Sequence, residues 1–184
     1  RAVCSWNPSI MSPPLVELQN PASDRPLLVA LAGNPNSGKT TLFNALTGLR
    51  HKVGNYPGVT VEKREGALHS DPTIRLLDLP GVYSLHATTL DEAITGQILF
   101  GLTADTRKPD AVIIVADATN IERNLFLATQ IIELGLPTIL ACNMMDLVER
   151  NGYQLDLDQL SKDLGIPVFG TSGPTGRGID EIRR

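Results

Sequence analysis

Six short apolar runs alternating with stretches of helical period constrain this chain more than any other feature. Leu27–Ala32, Thr60–His69, Thr73–Asp78, Ala111–Ala116, Thr138–Asn143 and Val168–Thr171 read as strands. Lys39–Thr47, Thr89–Phe100, Ile121–Leu134 and Asp158–Leu164 read as helices, and Gly48, Gly101, Gly135 and Gly165 follow them, where a helix-ending residue takes positive φ. Strands alternating with helices predict an α/β fold whose mostly parallel central sheet carries helices on both faces. The middle runs are nearly continuous in Val, Ile and Leu, as strands buried on both faces are. Thr60–His69 instead carries Glu62, Lys63, Arg64 and Glu65, which predicts a solvated strand near one edge, turned by Ser70-Asp71-Pro72 into the next.

Residues 1–26 have no such period. Pro8, Pro13, Pro14, Pro21 and Pro26 predict a mostly disordered tail, leaving 27–184 as the folded domain. The chain does not begin with Met, so residues 1–10 read as a cloning scar, upstream read-through or part of a longer protein. A last helix beginning at Ile179 is cut off at Arg184, which leaves open whether one sheet face is uncovered.

A length of 184 residues fits one domain. Sixteen Lys and Arg against 20 Asp and Glu leave a net charge of −4, which argues against a dedicated nucleic-acid binder. The longest apolar stretches are strand length, well short of the ~20 residues that span a bilayer. Cys4 and Cys142 form neither a CxxC pair nor a disulfide framework, as suits a reducing, cytoplasmic compartment.

The chemistry begins at Gly33-Asn34-Pro35-Asn36-Ser37-Gly38-Lys39-Thr40, which fits G-x-x-x-x-G-K-[ST] between a strand and a helix. Its glycines let successive N–H groups face phosphate oxygens at a helix N-terminus; Lys39 can reach the β- and γ-phosphates and Thr40 can ligate Mg²⁺. Thr41 follows in the first turn of the helix. Asp78-Leu79-Pro80-Gly81 ends a strand, where Asp78 can hold Mg²⁺ through a water and Gly81 can offer its N–H to a γ-phosphate. Asn143-Met144-Met145-Asp146 ends another; Asp146 can accept both N1–H and the exocyclic amine of guanine, a donor pair adenine lacks. Ser172-Gly173 can supply N–H groups to the guanine oxygen. Taken singly, D-x-x-G is also a turn, N-x-x-D a helix cap and Ser172-Gly173 a loop. Their order at the ends of successive strands, where an open α/β sheet gathers its ligand, argues for a GTP site.

These residues resemble the TRAFAC GTPases and, more narrowly, the N-terminal G domain of the FeoB family of ferrous iron transport proteins. The resemblance runs from Leu27 to Arg184, through Gly33–Gly48, Val53–Gly66, Leu76–Leu85, Ala118–Pro137 and the N-M-M-D at Asn143–Asp146. It implies a Ras-like P-loop NTPase fold and slow GTP hydrolysis. Val59 and Thr60 become part of a switch segment in which Thr60 closes on Mg²⁺ and the γ-phosphate. Asn36, with carbonyls from Gly54 to Tyr56, becomes a K⁺ site, and the cation would do there what an arginine finger does elsewhere. The catalytic set is then Lys39, Asn36, Thr60 and Gly81. Val82 stands where Ras-like enzymes keep a water-orienting glutamine. Tyr56 stands where many relatives have Trp, as an exposed switch aromatic, and Thr171-Ser172-Gly173-Pro174 departs from the usual T/S-S-A form. The family further implies a helical spacer and a membrane domain, both outside this sequence, a place at the cytoplasmic face of the membrane, and no nucleic-acid partner; a homo-oligomer stays open. Two rivals stand beside it: a ribosome- or tRNA-associated GTPase, against which the missing basic patch and N-M-M-D argue, and a nucleotide-binding fragment without turnover. His51, His69 and His86 are scattered and read as solvated loop residues, and Cys142 as core.

Overall fold

A computed structural model describes residues 25–173 and 175–183. Apart from Arg25 and Pro26, the tail lies outside the described residues. The elements run β1 (Leu27–Gly33), α1 (Lys39–Thr47), β2 (His51–Asn55), β3 (Glu62–Ala67), β4 (Ile74–Asp78), α2 (Leu90–Phe100), β5 (Ala111–Asp117), α3 (Ile121–Ile132), β6 (Thr138–Asn143), α4 (Met145–Arg150), α5 (Leu157–Leu164), β7 (Val168–Gly170) and α6 (Ile179–Ile182). They build one seven-stranded sheet in the order β2-β3-β4-β1-β5-β6-β7. Strands β4, β1, β5, β6 and β7 are parallel, whereas β3 pairs antiparallel with β4 and β2 antiparallel with β3.

Strand side chains alternate between two cores, as the two-residue period requires. Leu28, Ala30 and Ala32 of β1 join Ile98 and Leu99 of α2 and Leu127 and Ile131 of α3 on one face. Val29 and Leu31 join Leu42, Phe43 and Leu46 of α1 and Ile179 of α6 on the other. Each such large side chain contributes about 1.5–3 kcal/mol through burial. On the α1 side an apolar hollow of about 270 Å³ remains, lined by Val29, Leu46, Ile113, Ile139, Phe169 and Ile182. Among the described residues, this part of the sheet face is uncovered.

Two elements are additional to the sequence reading. Strand β2 was not expected, since His-Lys-Val-Gly-Asn has one β-branched residue and a glycine; it forms by pairing with β3 and leaves four of its five residues exposed. Helix α4 is likewise additional, and Asp146 lies in its first turn rather than capping it, since the cap position is Met144. The strand expected from Thr60 starts at Glu62, with Thr60 in the preceding turn, and lies second from the edge with β2 outside it. Helix α2 starts at Leu90 behind Thr89, whose hydroxyl accepts from the Glu92 N–H while the Glu92 carboxylate accepts from the Thr89 N–H. This reciprocal pair satisfies two donors the helix start would otherwise strand. Among the described residues no helix is long and apolar enough to cross a membrane.

Candidate functional site

Strand β1 runs into a loop whose shape is set by two glycines. A Cβ on Gly33 would sit 2.3 Å from the Val115 carbonyl oxygen, so the chain passes β5 only without a side chain there. Gly38, at φ 83°, opens α1, and a Cβ on it would lie 2.1 Å from Asn143 Nδ2. Between them Asn36 also has positive φ, 66°, and its side chain is exposed. Asn34 and Ser37 are buried, and Asn34 Oδ1 and Ser37 Oγ have no hydrogen-bond partner. Pro35 lies against Gly81, where a Cβ would come within 3.1 Å of the proline Cα.

At the start of α1, Lys39 Nζ meets Asp78 Oδ1 at 2.5 Å, with both side chains more than nine-tenths buried. Thr40 Oγ1 donates to Asp78 Oδ2 at 3.3 Å. The D-x-x-G turn is tied to β1 by the Leu79 N–H on the Leu31 carbonyl (3.0 Å) and the Val82 N–H on the Gly33 carbonyl (3.2 Å). Val82 is buried, and Tyr83 is exposed with the Arg123 guanidinium 4.2 Å from its ring centre.

The second half of the site is organised by Asn143. Its Nδ2 donates to the Ser37 carbonyl at 3.0 Å, and its Oδ1 accepts from the Thr171 hydroxyl and the Gly173 N–H, each at 3.3 Å. One buried amide therefore joins the phosphate loop to the ends of β6 and β7. Ser172 Oγ donates to Asp146 Oδ1 at 2.7 Å, which fixes the carboxylate's direction. The N–H of Ser172 is spent on the Arg177 carbonyl (3.0 Å) and that of Gly173 on Asn143, so neither is turned outward as the sequence reading expected. Thr41 touches this corner: a Cβ on Gly173 would lie 2.7 Å from Thr41 Cγ2. Met144 takes φ 66° to open α4.

The loop after β2 departs most from expectation. Tyr56 is buried, 5% exposed, rather than displayed to solvent. Its N–H donates to the Val61 carbonyl at 2.9 Å, its carbonyl accepts from the Val59 N–H at 3.2 Å, and its hydroxyl has no partner. Burial, with Asp78 and Glu65 nearby, raises the phenol pKa well above its usual value, so it keeps its proton. Gly54 is in β2 opposite Lys63, Val59 is half-buried and Thr60 is exposed. Of the residues expected around a nucleotide, Gly33–Thr41, Asp78, Gly81, Asn143–Asp146 and Ser172–Gly173 come together, whereas Gly54 lies in the edge strand, Thr60 is exposed, and Tyr56 and Val59 pack on the cluster that holds Leu79 and Val82. His51 also departs from expectation: it opens β2 and packs edge-on against Phe43, ring centres 5.1 Å apart.

Asn143 was legible only as the first residue of N-x-x-D and Thr171 only as the residue before Ser172-Gly173; neither pattern marks the tether. The sequence placed Lys63 only among the charges of a solvated strand, but its Nζ lies 5.8 Å from the Tyr56 ring centre and donates to Thr106 Oγ1 at 2.9 Å.

Residues 27–184 match the family described as ferrous iron transport protein B. The chain belongs to that family. It carries the family's N-terminal P-loop GTPase domain. Over 162 residues it is 48% identical to the Fe(2+) transporter FeoB of Escherichia coli strain K12 and, equally, to that of Salmonella typhimurium; the match takes in 85% of this chain and 20% of each relative. The chain therefore spans about one fifth of the FeoB proteins it resembles. Among solved structures, the cytosolic domain of the T. maritima FeoB iron transporter in a GDP form superposes with a TM-score of 0.79 at 46% identity, covering 85% of this chain and 60% of that one. The cytosolic domain of L. pneumophila FeoB gives 0.77 at 42% identity, covering 85% and 67%.

Proposed function

We propose that this FeoB domain binds GTP at the joined ends of β1, β4, β6 and β7 and hydrolyses it slowly, with Mg²⁺ and K⁺, as a switch for a larger ferrous iron transporter. The observation that carries the reading is the Asn143 junction. It holds a phosphate loop with Lys39 and a Ser172-directed carboxylate, Asp146, in one continuous hydrogen-bonded unit.

Asp146 reads the base by accepting from N1–H and the exocyclic amine of guanine. Lys39 moves from Asp78 to the β- and γ-phosphate oxygens, and the N–H groups of Gly33–Thr40 surround them. Thr40 and Asp78 offer hard oxygen donors 3.3 Å apart, a fit for Mg²⁺, which supplies charge neutralisation at the phosphates. Asn36, exposed at positive φ within the loop, and the carbonyls of Gly54 and Tyr56 would hold K⁺, which would supply further positive charge at the phosphates, and Thr60 would close on the γ-phosphate with Gly81. Hydrolysis is attack of water on the γ-phosphorus, giving GDP and inorganic phosphate. Val82 offers no side chain to orient that water, which makes the intrinsic rate slow. The domain's partners would be the helical spacer and membrane domain of the longer protein, placing it at the cytoplasmic face.

Asp146→Asn tests the base assignment. The variant should lose GDP affinity roughly a hundredfold or more and gain xanthosine diphosphate binding. Unchanged guanine preference would overturn it.

A further inference from the structure

Strand β2 has little to hold it. It pairs only with β3, and Lys52, Val53, Gly54 and Asn55 are exposed. Its two ends are anchored instead, by His51 against Phe43 and by Tyr56 within the cluster that contains Leu79 and Val82 of the D-x-x-G turn. The same residue closes the following turn through both its backbone groups, to Val59 and Val61, and Lys63 stands over its ring. The two carbonyls assigned above to the cation are therefore engaged elsewhere, since Gly54 sits in a ladder and the Tyr56 carbonyl is taken by Val59, while Thr60 is exposed within the 56–61 loop that Tyr56 closes.

We infer that Tyr56 is a latch: its buried ring stores Gly54–Thr60 on the sheet edge, and the segment reaches the nucleotide only when the ring leaves the core. This rests on the GTP reading above and adds to it a positioning residue that acts through the segment it releases. The stranded hydroxyl is what makes storage reversible. Burial of the ring favours the stored state and the unpaired O–H opposes it, so the balance is set within one side chain.

Two substitutions separate these terms with opposite sign. Tyr56→Phe keeps the ring and removes the stranded hydroxyl, so it should favour storage by roughly tenfold. Tyr56→Ala removes the ring and should favour release by tenfold or more. Amide hydrogen exchange over residues 53–61 of the nucleotide-free chain reads the opening directly: slower by about that factor in Phe, faster in Ala. Because a ligand that needs the open state binds weaker by the fraction open, the affinity of a non-hydrolysable GTP analogue with Mg²⁺ in KCl, divided by that of GDP, should fall in Phe and rise in Ala. A merely structural tyrosine would weaken folding without moving that ratio in opposite directions. If Ala fails to fold, Phe alone decides. Exchange that is unchanged or faster in Phe, or an unchanged affinity ratio, overturns the latch. A wild-type chain that binds no guanine nucleotide overturns the site reading and, with it, the release step.

Discussion

At the residue scale, the site depends on a few groups that have no alternative. Lys39 and Asp78 form a buried pair, and removing one side of such a pair costs about 3–5 kcal/mol because the other charge stays buried. Lys39→Ala should therefore lower the melting temperature as well as abolish tight nucleotide binding; wild-type values of both by thermal denaturation and titration would contradict the assignment. Gly38→Ala should be as damaging for a different reason, since it adds a Cβ at φ 83° against Asn143. Cys142 sits in β6 with no exposure, and burial pushes its thiol up to about 12. In a Cys4→Ser chain it should resist thiol reagents at pH 8 until the protein unfolds; rapid labelling of the native chain would show that β6 is not buried. Lys39, Thr40, Asp78 and Asp146 could be proposed from the sequence because phosphate, metal and base would each demand one chemistry at one spacing. Tyr56 was not: an aromatic between Asn55 and Pro57-Gly58 reads as a loop residue, and only the fold shows it turned inward.

Among the elements, helix α1 was predicted to the residue, because Gly38 and Gly48, both at positive φ, bound it. Helix α2 was expected within one residue, from its helical period and the Gly101 that ends it; the structure adds the reciprocal Thr89–Glu92 cap at its start. The Thr88 hydroxyl, then the Thr89 hydroxyl and both N–H groups, hold the Glu92 carboxyl below its usual range. Its native pKa lies below its unfolded one, so the contribution is present at neutral pH and is lost as pH falls through the native value. Thr89→Ala should cost about 1 kcal/mol by chemical denaturation, and no change would show that the cap is not formed. Strand β2 and helix α4 escaped the sequence reading for one reason: neither owns a hydrophobic period. Strand β2 borrows its hydrogen bonds from β3, and α4 follows from Met144 turning the chain at the end of β6.

For the whole molecule, the sheet order brings sequence-distant motifs to one edge, and this was legible because each motif follows a strand of the same parallel sheet. What the order of motifs left unread is the division of the site into a prearranged part around Asn143 and a stored part around Tyr56. That division arises from tertiary packing against the D-x-x-G turn. Val82 presents only an apolar side chain, so under the function proposed above a cation and the carbonyls of Gly54 and Tyr56 would take the part a water-orienting side chain plays elsewhere. The measurement that bears most directly on this account is GTP turnover by the purified chain with Mg²⁺ in KCl against NaCl at matched ionic strength. The account predicts turnover at least several-fold higher in KCl, with the difference lost in Asn36→Ala. Equal turnover in the two salts with GTP still bound would contradict it.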